Sequence, residues 1–185
     1  LEIMLNEHHQ TATCIVPSAP ILLGILARQT EKARLLILGN PIPNRSQPVR
    51  VAEEMAMIDV ISKGRVECGF VRSVPYEAAP ANILPHRGTE RLWEAHDLIL
   101  KSWTSHDGPF NFEGEWYHHR QVNIWPRPYQ QPHPPIWITM GSAGTAIPVA
   151  KHDYVGAVFL AGYSKIRGIF DGYREAYITA HQTPA

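Results

Sequence analysis

The residues best suited to chemistry lie near the start of the chain, where Glu7, His8 and His9 follow a short apolar run. An imidazole can give or take a proton near neutral pH, so His8 and His9 are candidates for general acid–base catalysis. In barrels of alternating strands and helices the active site lies at the carboxyl ends of the strands, which is where this pair is expected. A pair of surface histidines in a loop is the structural alternative.

A metal site is a second functional interpretation of the same histidines. Two adjacent imidazoles cannot easily bind one ion, and neither Asp nor His stands at ligand spacing nearby. The pattern therefore favours proton transfer over metal binding.

Arg72 is a candidate for binding an anion. It directly follows a predicted buried strand, and a guanidinium can bind a phosphate through two parallel hydrogen bonds. The alternative is a surface arginine that forms an ion pair with Glu67 or Glu77.

A second candidate anion site is the turn formed by Gly141, Ser142 and Thr145. These small residues join a predicted strand to a helix, whose first N–H groups and dipole attract negative charge. An ordinary tight turn with a helix cap explains the same residues. Because this turn and Arg72 both follow parallel strands, we expect them at the same end of the sheet.

The elements that must position these residues alternate between strand and helix. This order implies a parallel sheet with right-handed crossovers, either an open doubly wound sheet or a (β/α)8 barrel. Five units are fewer than a barrel needs, so periodicity alone favours the open sheet. The chain also starts inside a predicted strand, which indicates part of a larger domain. The predicted strands are 1–5, 33–38, 65–70, 135–140 and 154–160, and the predicted helices are 18–32, 48–62, 89–105, 144–151 and 164–180.

Two segments interrupt this alternation. Residues 71–88 are predicted to form a long loop. Residues 106–133 lack a helical period, contain a cluster of aromatic residues and are rich in proline. We interpret them as an excursion with a short hairpin around Glu113 and Gly114 that covers one end of the fold, and expect the aromatic side chains to pack this excursion against the body.

The charge, hydropathy and cysteine content of the chain argue against several classes of binding partner. The 17 basic residues balance the 17 acidic ones, which argues against a nucleic acid or an anionic membrane as the partner. No apolar run reaches the roughly 18 to 20 residues needed to span a bilayer. The two cysteines suit neither a disulfide framework nor a zinc site, so a cytoplasmic location is expected.

Several longer motifs resemble those of the bacterial luciferase-like flavin monooxygenases. They occur in consistent order over most of the chain, and the stretch 47–72 is the most specific. The matching text is Asn6-Glu7-His8-His9, Gln47-Pro48-Val49-Arg50, Glu53-Glu54-Met55-Ala56-Met57-Ile58-Asp59, Ser62-Lys63-Gly64-Arg65-Val66-Glu67-Cys68-Gly69-Phe70-Val71-Arg72, Trp125-Pro126-Arg127-Pro128, Pro132-His133-Pro134-Pro135-Ile136-Trp137 and Ser142-Ala143-Gly144-Thr145.

The resemblance implies an α/β fold, a (β/α)8 TIM barrel that binds reduced FMN at its carboxyl-end mouth. Residues 1–185 would form one luciferase-like domain that holds about five βα units of an incomplete barrel, with 106–133 over the barrel mouth. His8 would be the catalytic residue. A non-prolyl cis peptide would lie under the flavin ring near Gly39 and Asn40, and the flavin phosphate would bind Arg72, Gly141, Ser142 and Thr145.

The activity implied by the resemblance is insertion of one oxygen atom from O2 into a small organic substrate. A separate flavin reductase would supply the reduced FMN, and two copies of the chain would pair through helices 18–32 and 48–62. The luciferases proper carry a reactive Cys at the position of Val71 and a Glu at that of Gly141, so light emission is not expected here.

Three alternatives remain at the level of sequence. The chain could be a truncated flavin-binding fragment without catalysis, or an oxidoreductase that uses the deazaflavin F420. The third and weaker alternative is a metal-dependent hydrolase that uses His8 and His9.

Overall fold

The structure, a computed structural model, describes residues 1–12 and 14–184. The chain divides into two compact units, Leu1–Pro134 and Pro135–Ala185. Strands alternate with helices in both units, and the predicted β-α repeat occurs five times along the described residues.

The first unit contains three parallel strands with β2 between β1 and β3, which confirms the parallel pairing that the alternation predicts. Leu5 pairs with Ile37, and Ile37 pairs with Cys68. Its elements are β1 (Glu2–Leu5), α1 (Ala19–Gln29), β2 (Arg34–Asn40), α2 (Pro48–Ser62), β3 (Val66–Phe70), α3 (Pro75–Ala78), α4 (Gly88–Thr104), β4 (Phe110–Glu113) and β5 (His118–Val122).

The two strands β2 and β3 form the core of this unit. Leu35, Leu36 and Ile37 are at most 1% exposed, and all five residues of β3 are buried. A continuous apolar run is typical of a strand that is covered on both faces, which is why the sequence already identified β2.

Helix α2 begins and ends where its sequence predicts. Pro48 opens it, and the backbone turns left-handed at Lys63 (φ 58°) and Gly64 (φ 82°), a conformation that glycine adopts at little cost. Val51, Met55 and Ile58 form its buried face. The apolar spacing of the sequence would place Ile61 on the same face, but Ile61 is 47% exposed.

Helix α1 ends at Gln29 rather than at the predicted Lys32. The guanidinium of Arg65 explains the earlier end, because it donates hydrogen bonds to the carbonyls of Ala27 and Thr30 at 2.7 and 2.9 Å. These carbonyls lie at the end of the helix, where no further turn would bond them.

Residues 71–88 do not form the long loop that the sequence predicts. They contain helix α3 and a 3-10 turn at Pro85–Arg87. Both begin with a proline, whose fixed φ suits the first helical position and whose missing N–H is not needed there. The prolines at positions 75 and 85 are therefore helix-start signals that the sequence already contains.

The hairpin predicted around Glu113 and Gly114 is confirmed by the antiparallel pair β4–β5. The carboxylate of Glu94 on α4 accepts hydrogen bonds from three successive backbone N–H groups of its connection, those of residues 115–117, at 2.8–2.9 Å. A side chain at Gly114 would collide with this carboxylate. Arg91 lies over the ring of Tyr117, so the hairpin packs against α4. Its position over a barrel mouth stays a prediction.

The second unit contains β6 (Ile136–Thr139), α5 (Ala143–Lys151), β7 (Val155–Ala157) and α6 (Tyr163–His181). Strands β6 and β7 are parallel, and α6 contacts this unit through Tyr173, whose hydroxyl donates to the carbonyl of Tyr154 at 2.8 Å. Strand β7 is shorter than the predicted 154–160. Leu160 has a positive φ of 45°, which is not an extended conformation.

Within residues 1–12 and 14–184, no helix is long and apolar enough to cross a membrane.

The close approach of β2 and β3 yields a stability prediction. A methyl group at Gly69 would collide with the carbonyl oxygen of Ile37, a backbone atom that cannot move aside as a side chain does. Gly69→Ala should therefore lower the free energy of unfolding by about 1–3 kcal/mol, the usual cost of overpacking. Gly24→Ala is the control, because α1 leaves open space there and alanine favours a helix by up to about 1 kcal/mol. Denaturant unfolding of both variants measures the difference. Equal stability of the two would contradict the predicted collision.

Candidate active site

His8 lies just beyond the carboxyl end of β1 and is held by a buried carboxylate. Its Nδ1 lies 2.7 Å from Oε1 of Glu77, and the same oxygen accepts the backbone N–H of His9 at 3.1 Å. The side chain of Glu77 is 2% exposed, whereas that of His8 is 30% exposed. The site therefore combines a fixed imidazole edge with a ring that remains partly accessible.

Glu7 provides a second buried carboxylate, whose side chain has no exposed surface. It accepts hydrogen bonds from the backbone N–H of Ala19 at 2.9 Å, from Nη2 of Arg45 at 2.5 Å and from Nε2 of His9 at 3.1 Å. Ser18, a residue type that often caps helices, occupies the N-cap position of α1, but its side chain forms no capping bond. Glu7 instead satisfies the first N–H of that helix, and it ties the loop after β1 to the residues after β2.

Gly39 and Asn40 end strand β2. The peptide bond between Leu38 and Gly39 is cis, which places the predicted non-prolyl cis bond one residue before Gly39–Asn40. A side chain at Gly39 would collide with Val71, so the two strands touch directly at this point. Asn40 is 1% exposed, and neither the oxygen nor the nitrogen of its side-chain amide has a hydrogen-bond partner among the described residues.

Arg72 follows β3 and its side chain is exposed. The two carboxylates proposed as alternative partners are occupied elsewhere, since Glu67 pairs with Arg34 and Glu77 with His8. Within residues 1–12 and 14–184 Arg72 forms no ion pair. Its charge therefore remains available to an anion.

Gly141, Ser142 and Thr145 lie in the second unit, at the N-terminus of α5. Ser142 and Thr145 form a capping box, in which Oγ of Ser142 accepts the N–H of Thr145 at 3.2 Å and Oγ1 of Thr145 accepts the N–H of Ser142 at 3.0 Å. Oγ1 of Thr145 also accepts the N–H of Gly141 at 3.0 Å. These residues thus cap their helix, and their predicted role with Arg72 in binding one anion stays a prediction.

A small cavity of about 190 Å³ lies beside the imidazole of His9, and Asn44, Arg45 and Glu77 also contribute to its wall. This volume is below the roughly 300–1,000 Å³ typical of a complete ligand pocket. The cavity offers a polar recess next to His9.

The remaining candidate groups are less suited to chemistry. Burial raises the pKa of the Cys68 thiol well above its ordinary value, which keeps the sulfur protonated and a poor nucleophile. In the part of the chain that the structure describes, no three His, Cys, Asp or Glu side chains are grouped so as to hold a metal ion.

Reasoning from sequence identified His8 but missed the residues that hold the histidines in place, namely Glu7, Arg45 and Glu77. Glu77 had been considered only as a partner for Arg72. A helix start at Pro75, with an acidic residue in the first turn, is a recognisable signal for α3. No local pattern indicates that α3 brings a carboxylate to the loop after β1, because this contact spans 69 positions of the chain.

Comparison with known proteins gives two similar relatives. The y4wF protein of Sinorhizobium fredii is 30% identical over 173 residues, which are 92% of this chain and 49% of that protein. The oxygenase component of the flavin-dependent trigonelline monooxygenase of Acinetobacter baylyi is 32% identical over 136 residues, 72% of this chain and 37% of the relative. The chain therefore spans at most about half the length of these relatives.

Solved structures match the whole fold. The monooxygenase RslO1 of Streptomyces bottropensis has a TM-score of 0.88 at 24% identity, covering 100% of this chain and 56% of its own. The oxygenating constituent of 3,6-diketocamphane monooxygenase from Pseudomonas putida, solved with FMN, has a TM-score of 0.87 at 18% identity, covering 100% and 54%. An F420-dependent secondary alcohol dehydrogenase has a TM-score of 0.80 at 18% identity, covering 95% and 56%.

These matches confirm the predicted fold class, a luciferase-like (β/α)8 barrel that is present here as about five βα units. The family model described as luciferase-like monooxygenase matches residues 2–185, which is nearly every position of the sequence. The chain belongs to the luciferase-like monooxygenase family.

Proposed function

We propose that the protein containing this chain is a flavin-dependent monooxygenase, which uses reduced FMN to insert one oxygen atom from O2 into a small organic substrate. The observation that carries the proposal is the imidazole of His8, held by the buried carboxylate of Glu77 at the carboxyl end of β1. A histidine fixed in this way is suited to moving a proton during catalysis.

The residues after β2 and β3 fit a flavin. Leu5 pairs with Ile37, and His8 lies three residues beyond this pair in the loop after β1, whereas Asn40 lies three residues beyond it at the end of β2. The amide of Asn40 lacks a partner among the described residues, and the carbonyl and N–H groups of a flavin ring would complement it. Arg72, which forms no ion pair among the described residues, would bind the phosphate.

The proposed roles follow from these positions. His8 acts as general acid–base, Gly39 and Asn40 contact the ring of the flavin, and Arg72 binds its phosphate. Gly141, Ser142 and Thr145 form a capped helix N-terminus, which is a second candidate for binding phosphate. When bound, reduced FMN supplies the electrons that activate O2. The 106–133 excursion over the mouth excludes water.

The choice of FMN rests on the relatives. The trigonelline enzyme is named as flavin-dependent, and the diketocamphane enzyme was solved with FMN. F420 is the second candidate, because a dehydrogenase that uses it has a similar fold. The trigonelline relative is also named as an oxygenase component, which supports a separate flavin reductase as the supplier of reduced FMN.

Replacing His8 tests its catalytic role. In the full-length protein His8→Ala should lower turnover by about 10²–10⁴-fold, the usual contribution of general acid–base catalysis. Binding of FMN should change little, because the imidazole is proposed to move protons rather than to hold the cofactor. His118→Ala is the control, since that histidine is exposed on strand β5. Turnover of His8→Ala equal to that of the control would remove His8 from the mechanism.

Arg72 can be tested by comparing two flavins. Arg72→Met should weaken FMN binding by about 10- to 100-fold, because a hydrogen bond to a charged group contributes about 1.5–3 kcal/mol. The affinity for riboflavin, which has no phosphate, should stay the same. Arg50→Met is the matched control, because Arg50 is an exposed arginine on α2. Fluorescence titration measures both affinities, and an equal loss for both flavins would contradict a phosphate contact. Tighter binding of F420 than of FMN by the unmodified protein would select the deazaflavin instead.

We further propose that two copies pair through helices α1 and α2. Both helices expose large apolar side chains, which a contact between copies would remove from water. These side chains are Ile21 and Ile25 on α1 and Met57, Val60 and Ile61 on α2.

If two copies pair in this way, a charged residue introduced on the surface of α1 and α2 should lower the molecular mass of the protein in solution. The full-length protein should be a dimer in light scattering, and the double variant Ile25→Asp/Val60→Asp should be a folded monomer, because a buried unpaired carboxylate is unfavourable at an interface. Ile178→Asp, which places the same charge on an exposed position of α6, should leave the mass unchanged. A double variant that is still dimeric would exclude this surface as the interface.

A further inference from the structure

Two neighbouring histidines are held by two buried carboxylates in opposite ways. Glu77 contacts Nδ1 of His8 at 2.7 Å, whereas Glu7 contacts Nε2 of His9 at 3.1 Å. A neutral imidazole carries its proton on one nitrogen only, so each contact decides which nitrogen is protonated. The two rings are therefore expected to be opposite tautomers.

The contacts of Glu77 match those of an ionised carboxylate. Its Oε1 lies next to two possible donors, the backbone N–H of His9 at 3.1 Å and Nδ1 of His8. The backbone group can only donate, and an ionised carboxylate can only accept. An ionised Glu77 satisfies both contacts when Nδ1 of His8 carries the proton.

We propose that Glu77 is a positioning residue for His8, which holds the ring as the Nδ1–H tautomer and so makes Nε2 the nitrogen that accepts a proton. The inference rests on the proposed function, since it assumes that His8 is the proton-transfer group. Among the described residues no side chain bonds Nε2 of His8, and the side chain remains 30% exposed. Nε2 is therefore the nitrogen left for a reacting group.

The proton balance of this arrangement is simple. Nε2 takes a proton from a reacting group, which produces an imidazolium, and the same nitrogen returns that proton to a later group or to water. The proton on Nδ1 stays in its hydrogen bond throughout. The negative charge of Glu77 stabilises the imidazolium while it exists, as a carboxylate does for the histidine of a hydrolase triad.

Contacts from other segments of the chain also fix the position of the Glu77 carboxylate. Its other oxygen, Oε2, accepts a long hydrogen bond of 3.5 Å from the hydroxyl of Ser73, and that hydroxyl accepts the amide of Asn44 at 2.8 Å. Residues that follow β1, β2 and β3 thus meet around one carboxylate. A shift of any of these segments would change the orientation of the His8 ring.

The tautomer can be observed without cofactor or turnover. The full-length protein labelled with ¹⁵N-histidine is examined by ¹H–¹⁵N correlation NMR at about pH 8, where an ordinary imidazole is neutral. His8→Ala and His9→Ala assign the two rings. We expect Nδ1–H for His8 and Nε2–H for His9. An Nε2–H tautomer of His8 in the unmodified protein would overturn the proposal, and this result needs no variant of Glu77 that folds.

Two variants of Glu77 then test the cause. The oxygen of Glu77→Gln can still accept the N–H of His9 and Nδ1–H of His8, so this variant should keep the His8 tautomer, whereas Glu77→Leu cannot accept and should leave a mixture of tautomers. His9 serves as the internal control, because Glu7 still holds its Nε2–H. We expect kcat of Glu77→Leu to fall on the order of 10²-fold with KM for the substrate unchanged. An unchanged His8 tautomer in Glu77→Leu would show that Glu77 does not position the ring.

The two levels of the argument can fail separately. If the NMR results are as expected but His8→Ala retains full turnover, the role of His8 in the proposed function is wrong while the contact with Glu77 is right. If His8→Ala loses turnover but His8 has the Nε2–H tautomer, the catalytic role stands and the positioning role of Glu77 is excluded.

Discussion

The first unit depends on two carboxylates that are buried at the carboxyl ends of its strands. Removing an ion from water costs several kcal/mol unless hydrogen bonds and opposite charge surround it. Glu7 meets this requirement with Ala19, Arg45 and His9, and Glu77 meets it with His8 and the backbone of His9. The donors come from segments that are far apart in sequence, so satisfying the charges fixes those segments relative to one another.

The same region shows why β2 and β3 contain glycines. Gly39 leaves room for Val71, and Gly69 leaves room for the carbonyl of Ile37, so the two strands approach closely where they lead into the candidate site. Luciferases proper carry a reactive cysteine at the position of Val71, whereas here the thiol in β3 is Cys68, whose pKa burial raises. Burial therefore makes the Cys68 thiol a poor nucleophile, whereas the imidazole of His8, after β1, remains 30% exposed.

Helix α4 holds the hairpin β4–β5 in place. The carboxylate of Glu94 accepts hydrogen bonds from three consecutive backbone N–H groups of the hairpin connection. It thereby satisfies donors that the hairpin itself does not pair. Arginine and lysine side chains of the same helix cover aromatic rings of the hairpin. The aromatic cluster thus packs largely against a helix, as predicted, although Trp125 remains 71% exposed.

The amino-acid sequence alone determined the order of strands and helices, most of their boundaries, the parallel pairing, the family and the candidates His8 and Arg72. The elements and their pairing follow from local patterns, since apolar periodicity, prolines and glycines act over a few neighbouring residues. The family follows from the resemblance of longer motifs, above all the stretch 47–72. It did not predict that Ile61 faces outward, that 71–88 contains α3, or that Glu7 rather than Ser18 caps the N-terminus of α1. The tertiary structure decided the partner of each histidine, because the contact between His8 and Glu77 joins positions 69 residues apart and forms only when the parallel strands bring their carboxyl ends together.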